Sequence, residues 1–371
     1  MRKLARLADR YQRWRRQSTT RSGAPSGLLL LSCGGLGDTI LFSHVIDRFL
    51  AYAKPGERVT VLLRKDGAKT AFLFPDQVET FIVDFSKFRQ SLKYRFEICE
   101  QLYKSNYRSA ITTDYLRHPD LDEVMLMATQ CSDSIGMVAR PWAKYDRQLG
   151  ANAKSYARLF DSGERHQDKL LRWNRFADWL TNTSITPTFR RLPRVESRDK
   201  HQGLVLMQPF SAVKAKQYDV SVYQALIEAL PDDTEIKITG APGEIDKNPD
   251  YLPLLDHVNV SFEDAGFSEL VQMMQSAELV VSVDTAAMHL SVVAGAPTLC
   301  LASAAYVGEI VPYAPELSPN NVIFHYKTMD CEGCLGDCIK PLVGAKYLCV
   351  ADPAISAVIK KALALFEGGS R

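Results

Sequence analysis

The sequence lacks several things, and each absence narrows what the chain can be. No apolar run approaches the roughly twenty residues that a membrane-crossing helix needs. The basic start is not followed by an apolar core and a small-residue cleavage site, so no secretory signal is read and the expected location is the cytoplasm. Neither sign of charge is in excess, with 45 Lys or Arg against 43 Asp or Glu and a net charge of +2. A nucleic-acid partner would need a basic face on the folded body, and no such face is visible, so none is expected. A composition of 46% hydrophobic and 24% charged residues is that of a globular chain, not a disordered one. The eight cysteines, in a reducing compartment, are expected as thiols or metal ligands rather than disulfides. A dinucleotide fingerprint is also incomplete. Gly35-Leu36-Gly37 begins one, but Ile40 stands where the third Gly or Ala belongs, and Arg64 and Lys65 follow the next strand in place of an acidic ribose ligand. A nicotinamide oxidoreductase is therefore a distant reading.

What is present points to two domains, the default for 371 residues. Charge is unevenly placed. Residues 1–21 hold eight Lys or Arg against Asp9 alone, leaving the remainder net negative. Leu4, Leu7, Tyr11 and Trp14 recur there at helical spacing with arginine between them, which predicts a basic amphipathic helix. Such a helix either lies on an anionic membrane surface, as a peripheral contact through residues 2–16, or packs on the body or a neighbouring subunit. Residues 17–27 read as a linker, so residues 1–27 form an N-terminal extension.

From residue 28 strand and helix patterns alternate. Strands are expected at 28–31, 59–63, 80–83, 109–112 and 134–137, with helices near 38–53, 90–104, 120–130 and 164–182. Residues 184–202, rich in Pro, Arg and Ser, read as an interdomain linker. A second series begins at Gly203, with strands near 203–207, 235–239, 257–260, 279–283, 298–301 and 322–325. Helices are expected near 220–230 and 268–276, and a last one at 353–366. Two sets of such units predict an α/β protein with two doubly wound domains, 28–190 and 200–350, followed by a C-terminal helix and tail over 351–371. Ligands in such sheets bind beyond the carboxyl ends of the strands. The stretch 279–301 is the clearest single unit: an apolar strand, Asp284 and Thr285 at its end, then a helix that stops at Gly295 with Pro297 beyond. A helix start there offers unpaired N–H groups to a phosphate, though an ordinary crossover has the same pattern.

Three segments together resemble glycosyltransferase family 9, the heptosyltransferases of lipopolysaccharide core assembly. They are Gly34-Gly35-Leu36-Gly37-Asp38-Thr39, then Pro209-Phe210-Ser211 with Lys216-Gln217-Tyr218, and Asp284-Thr285-Ala286-Ala287-Met288-His289-Leu290. The resemblance spans about residues 28–345 and implies the GT-B fold, two Rossmann-like domains facing a central cleft. It implies an acceptor held mainly by the N-terminal domain and a nucleotide-sugar donor, ADP-heptose being favoured, held mainly by the C-terminal one. It also implies inversion at the anomeric carbon without a catalytic metal or other cofactor. Ala286 in place of the usual Gly and Tyr218 in place of Trp are departures that bear on the donor more than on the fold.

An inverting transfer needs a base for the acceptor hydroxyl, and Asp38 beside the Gly-rich turn is the candidate; capping its own helix is the alternative. Gly35 and Gly37 would admit an acceptor close to the backbone. The departing diphosphate gains charge, which fixed cations and N–H groups must stabilise. Lys216, Lys214, Ser211, Thr285 and the N–H groups of Ala286 and Ala287 are the candidates, with exposed loop lysines as the alternative for the first two. Asp284 would orient the turn or a sugar hydroxyl, while His289 would face the donor or pack inside the helix. Glu244 resembles a family position near the donor nucleoside. Asp114 and Arg117 follow the strand at 109–112, and Arg117 has the geometry to hold an acidic acceptor or to pair at the surface.

Cys331-x2-Cys334-x3-Cys338-x10-Cys349 gathers four thiols in 19 residues, a spacing suited to a structural zinc or iron or to reduced, unliganded cysteines. The resemblance adds that the protein heptosyltransferase subgroup carries an iron-binding finger here. The acceptor would then be a saccharide or lipid-linked glycan of the cell envelope, with protein (autotransporter-type) heptosylation as the nearest alternative. A non-catalytic nucleotide-sugar binder is the alternative outside the enzyme class.

Overall fold

In the computed structural model, residues 2–19, 21–187, 189–193 and 203–369 are described. Residues 188 and 194–202 of the expected linker lie outside them. The chain divides into two compact units, Met1–Arg165 with Arg172–Thr186, and His166–Leu171 with Pro187–Arg371.

The first unit is built on β1 (Leu28–Ser32), β2 (Val59–Arg64), β3 (Val78–Val83), β4 (Ser109–Thr112), β5 (Asp133–Met137) and β6 (Arg158–Phe160). All pair in parallel, in the order β3-β2-β1-β4-β5-β6. The four leucines of β1 are fully buried, as a central strand covered on both faces requires. Its helices are α1 (Arg2–Gln17), α2 (Leu36–Leu50), α3 (Phe85–Gln90), α4 (Leu92–Lys104), α5 (Asp122–Thr129), α6 (Asp146–Asn152) and most of α7 (Lys169–Thr181). On one face Leu29, Leu31 and Leu62 pack with Ile98 and Leu102 of α4 and Met125 of α5. Elsewhere in the unit, Phe42 and Phe49 of α2 meet Trp173 and Phe176 of α7 edge-on at 5.3 and 5.8 Å between ring centres. Each such ring or leucine, fully buried, stabilises by about 1.5–3 kcal/mol. Trp173 donates its Nε1–H to the Thr113 carbonyl at 2.7 Å, tying α7 to the end of β4.

The second unit repeats this plan. Its strands β7 (Leu204–Gln208), β8 (Glu235–Gly240), β9 (Val260–Asp264), β10 (Leu279–Val283), β11 (Thr298–Leu301) and β12 (Val322–His325) run parallel in the order β12-β11-β10-β7-β8-β9. Counted within the unit this is the same 3-2-1-4-5-6 order as in the first. Helices α8 (Val220–Ala229), α9 (Phe267–Ser276), α10 (Ala286–Ala294), α11 (Leu348–Ala351) and α12 (Ile355–Gly369) surround the sheet. Val358, Ala362 and Leu365 of α12 join Val222 and Leu226 of α8 in the core against β7, β8, β10 and β11. Helix α10 stops at Gly295, whose φ of +81° is the left-handed conformation that a glycine cap takes without penalty.

Two expectations shift, and one strand is added. Strand β9 begins at Val260 rather than near 257, because a 3₁₀ helix over Pro249–Asp256 occupies the approach. Helix α7 begins at Lys169 rather than near 164, because the Asp168 carboxylate accepts the Leu171 N–H at 2.9 Å and caps it. Strand β6, three residues long and partly exposed, carries no apolar run to announce it. Among the described residues no helix is long and apolar enough to cross a membrane.

Candidate functional site

In each sheet the strand order reverses between two neighbours, β1 and β4 in one unit, β7 and β10 in the other. Doubly wound sheets bind ligands beyond the carboxyl ends of the strands at that point. Asp38 and Asp114 lie at the first of these places and Asp284, Thr285 and Lys216 at the second.

In the first unit β1 runs out through Cys33 and Gly34 into α2. A Cβ on Gly34 would lie 2.4 Å from the Asp38 Cβ, so only glycine lets the carboxylate lie back over the turn. Asp38 is half-buried, and its Oδ2 accepts the Gly35 N–H at 2.8 Å. It caps its own helix, and the same contact fixes where the carboxylate stands. Asp114, just past β4, is buried and accepts the Cys33 N–H at 2.8 Å. It thus pins the β1 exit loop to β4 across the reversal point.

Arg117 goes elsewhere. Its guanidinium is 1% exposed and pairs with the equally buried Glu123 at 3.0 Å. It also donates to the Met137 carbonyl and lies 4.8 Å from the centre of the Tyr156 ring. Neither the acceptor contact nor the surface pair expected from sequence describes it, because it neutralises a carboxylate at the start of α5 inside the domain. Nearby Asp122 was not anticipated. Burial, reinforced by the charges of Asp114 and Glu123, pushes its carboxyl up to about 7, against a 2.7 Å hydrogen bond from the His118 N–H.

In the second unit Asp284 ends β10 and is buried. Its Oδ1 pairs with the Lys216 Nζ at 3.0 Å, and its Oδ2 accepts from the Ser303 hydroxyl at 2.9 Å. Burial raises the Asp284 pKa while Lys216 and Ser303 oppose the rise. Lys216 is therefore not a solvated loop lysine. Its ammonium also donates to the Asp284 carbonyl at 3.0 Å and sits 4.4 Å from the centre of the Tyr306 ring. Lys214 behaves as the ordinary alternative, exposed and donating to the Lys247 carbonyl at 2.7 Å. Thr285 is the N-cap residue of α10, but its hydroxyl is turned to Gln208 Oε1 at 3.2 Å and makes no cap bond. The first turn of α10 carries no acidic residue. The N–H groups of Ala286 and Ala287 thus open this helix without an internal carboxylate against them. Ser211 shapes the neighbouring turn, its hydroxyl accepting the Val213 N–H at 3.2 Å. Glu244 is half-buried after β8, held by Asn248 at 3.3 Å. His289 is buried, with its Nδ1 2.6 Å from the Tyr313 hydroxyl and its ring stacked on that tyrosine, which is the packed alternative.

Gln208, Ser303 and Tyr306 complete this constellation, and sequence reading missed them. Ser303 follows β11, the neighbour of β10, so the strand order is the signal that finds it. Tyr218, the departure from the usual Trp, is buried and donates to the Ala302 carbonyl at 2.9 Å, so the phenol holds the end of β11.

Cys331, Cys334, Cys338 and Cys349 line one small cavity with Ala304, Ala305 and Tyr347. Desolvation raises the thiol of Cys331, with the Asp330 carboxylate and the neighbouring sulfurs adding to it, and raises that of Cys349, with the neighbouring sulfurs adding to it. Among the described residues no three His, Cys, Asp or Glu side chains are placed to hold a metal ion. The quartet converges without forming a ligand set. The segment between Cys338 and Cys349 reaches the turn that carries Lys216, since the Tyr347 N–H donates to the Ala215 carbonyl at 2.9 Å.

Residues 177–334 match the family model "Glycosyltransferase family 9 (heptosyltransferase)". The fold is similar to that of a family 9 glycosyl transferase from Veillonella parvula, at TM-score 0.67 and 14% identity over 93% of this chain and 98% of that one. It is similar to ADP-heptose lps heptosyltransferase II of E. coli, at TM-score 0.65 and 12% identity over 93% and 100%. It is also similar to E. coli heptosyltransferase WaaC, solved with ADP-2-deoxy-2-fluoro heptose, at TM-score 0.62 and 16% identity over 84% and 97%. A sequence comparison with curated proteins finds no match. Two parallel six-stranded Rossmann-like sheets give the chain the GT-B fold of these structures, and residues 177–334 are similar to the glycosyltransferase family 9 (heptosyltransferase) model.

Proposed function

We propose that this glycosyltransferase moves a heptose or a related sugar from a nucleoside diphosphate donor, ADP-heptose by preference, to a saccharide or lipid-linked acceptor of the cell envelope. The observation that carries the reading is the donor-side constellation: a buried ammonium held by Asp284, beside a helix start with no acid in its first turn. A diphosphate needs this combination, a fixed cation together with oriented N–H donors. The structures solved with an ADP-heptose analogue or named for ADP-heptose motivate the choice of base and sugar.

The acceptor oxygen attacks the anomeric carbon from the face opposite the leaving group, so the configuration inverts. As the new C–O bond forms, Asp38 takes the hydroxyl proton. The bond from the anomeric carbon to the diphosphate oxygen breaks, and the electron pair leaves with the diphosphate. Lys216, the Thr285 hydroxyl and the N–H groups of Ala286 and Ala287 stabilise the charge that develops there, Ser211 shapes their turn, and Glu244 accepts ribose hydroxyls. Gly35 and Gly37 give the acceptor access to the backbone while Asp114 holds the loop in place. These groups supply the electrostatic stabilisation themselves, so the transfer proceeds without a catalytic metal. A structural zinc or iron on the four cysteines would require their side chains to close into a ligand set. Metal analysis of the protein as purified tests that separately.

The test is a panel of nucleotide sugars read by thermal shift, followed by turnover on saccharide, lipid-linked and polypeptide acceptors. ADP-heptose should raise the midpoint most, because a ligand that binds only the folded state stabilises by mass action. Asp38→Asn should keep that shift and lose turnover. If the wild type turns over no donor on any acceptor, the chain binds nucleotide sugars without transferring them.

A further inference from the structure

Helix α1 is attached to the first unit the opposite way round from an ordinary amphipathic helix. Its polar face is the docked one. Asp9 pairs twice with Arg95 at 2.7 Å, both side chains being almost wholly buried. Arg6 forks onto Asp120 at 2.7 and 2.8 Å, and Arg16 reaches Glu100 at 3.2 Å. The Arg16 carbonyl accepts the Tyr103 hydroxyl at 2.8 Å, and the Arg13 carbonyl accepts from Gln130 at 2.9 Å. These contacts fix the rotation of the helix about its axis. Leu4, Leu7, Tyr11 and Trp14 are consequently turned outward, at 64, 61, 57 and 67% exposure. At 3.6 residues per turn they form a stripe about 80° wide. Arg10 borders it on one side and Arg15 on the other, both exposed and, among the described residues, without an ion pair.

A stripe of leucines, a tyrosine and a tryptophan, bordered by arginines on a helix whose other face is already occupied, is complementary to one kind of surface. We infer that α1 seats the protein on an anionic lipid bilayer. Leu4, Leu7 and Trp14 enter the acyl boundary, the Tyr11 ring lies at the headgroup level, and Arg10 and Arg15 reach lipid phosphates. The charge on the stripe's borders decides between this and a second copy of the chain, because two copies would bring the same arginines against each other. The inference rests on α1 alone and goes beyond the transfer reaction. It gives that reaction a place where a lipid-linked acceptor is presented.

The test uses the full chain and flotation with vesicles of phosphatidylcholine, with and without phosphatidylglycerol. Binding is expected on the mixed vesicles, weakening as salt is added. Leu7→Gln with Trp14→Gln should weaken it by about tenfold or more, through the lost apolar area. Arg10→Gln and Arg15→Gln should each weaken it about fivefold on anionic vesicles only. A blue shift of tryptophan emission on binding, absent in Trp14→Phe, would place that ring in the lipid. All these side chains are exposed, so the thermal midpoint and donor binding should not move in any variant. No binding to anionic vesicles at low salt would overturn the inference, as would undiminished binding of the stripe variant. So would a self-association in solution that the stripe variant abolishes while vesicles stay unbound, which would make a second copy the occupant. Turnover on a soluble acceptor is a separate readout and can fail or succeed independently of these results.

Discussion

Lys216→Met removes the ammonium from the donor turn and leaves the Asp284 carboxylate buried, with Ser303 as its remaining hydrogen-bond partner. Removing one member of a buried ion pair costs about 3–5 kcal/mol, because the other charge is stranded. For a unit of this size that corresponds to a fall in melting temperature of roughly 6–20 °C. Protonation of Asp284, whose pKa burial already raises, would relieve part of the loss. The fall should therefore be smaller at pH 5 than at pH 8. The double variant Lys216→Met, Asp284→Asn no longer strands a charge and should recover most of the stability. It should not recover activity, because the diphosphate still lacks its cation, and removal of one such stabilising group lowers turnover by about 10²–10³-fold. Calorimetry at the two pH values and single-turnover transfer separate the effects. If both variants transferred sugar at the wild-type rate, Lys216 would be an internal structural cation and the leaving-group assignment would fail.

Gly34→Ala would place a methyl group 2.4 Å from the Asp38 Cβ and displace the carboxylate. Transfer should fall about 100-fold with donor binding unchanged, as expected for an ångström-scale misplacement of a reacting group. For Asp122, held up to about 7 in the folded state, the folded form keeps a proton that the unfolded form releases at lower pH. Its contribution is thus greatest below the ordinary carboxylate pKa and is lost as pH rises to about 7. Asp122→Asn, which can still accept the His118 N–H, should gain on the wild type across that window and hold a constant advantage above it, measured by thermal melts from pH 4 to 8. Asp9→Ala strands the buried Arg95 guanidinium and should cost about 3–5 kcal/mol, with faster tryptic cleavage within α1. Thr285→Val deletes the hydroxyl bonded to Gln208 and should raise the donor KM several-fold, while leaving the melting temperature within about 2 °C, as expected for a partly exposed hydroxyl.

Much of this arrangement is written in short apolar runs. Leu28 to Leu31 and Leu279 to Val283 can hardly be anything but strands covered on both faces, and the glycines and threonine after them mark the helix starts. The Gly34–Asp38 turn and the Asp284–Thr285 end were legible for that reason. What stayed hidden depends on the order of strands in space. Ser303 meets Asp284 only because β11 lies beside β10, and no local pattern encodes that neighbour. Arg117 misled because a lone arginine after a strand has the same appearance whether it faces solvent or a buried glutamate six residues on. The rotation of α1 was equally hidden. The sequence shows that it has an apolar stripe, but Asp9, Arg6 and Arg16 choose the docked face through partners about 85 to 115 residues away.

The two units share one strand order, and each has a helix start beside its reversal point, after the first strand in one unit and after the fourth in the other, yet the two ends differ in charge for a local reason. In α2 the third residue is Asp38, whose carboxylate folds back onto the Gly35 N–H and sets a negative charge against the positive end of the helix. A diphosphate approaching that end would meet a like charge, whereas a neutral hydroxyl would meet a base. In α10 the corresponding third residue is Met288, fully buried, and the first turn has no acid. The helix end keeps its attraction for an anion, and Lys216 adds a full positive charge beside it. On the proposed reaction, the acid on the third residue of α2 suits that end to a hydroxyl, and its absence from α10 together with Lys216 suits the other to a leaving diphosphate.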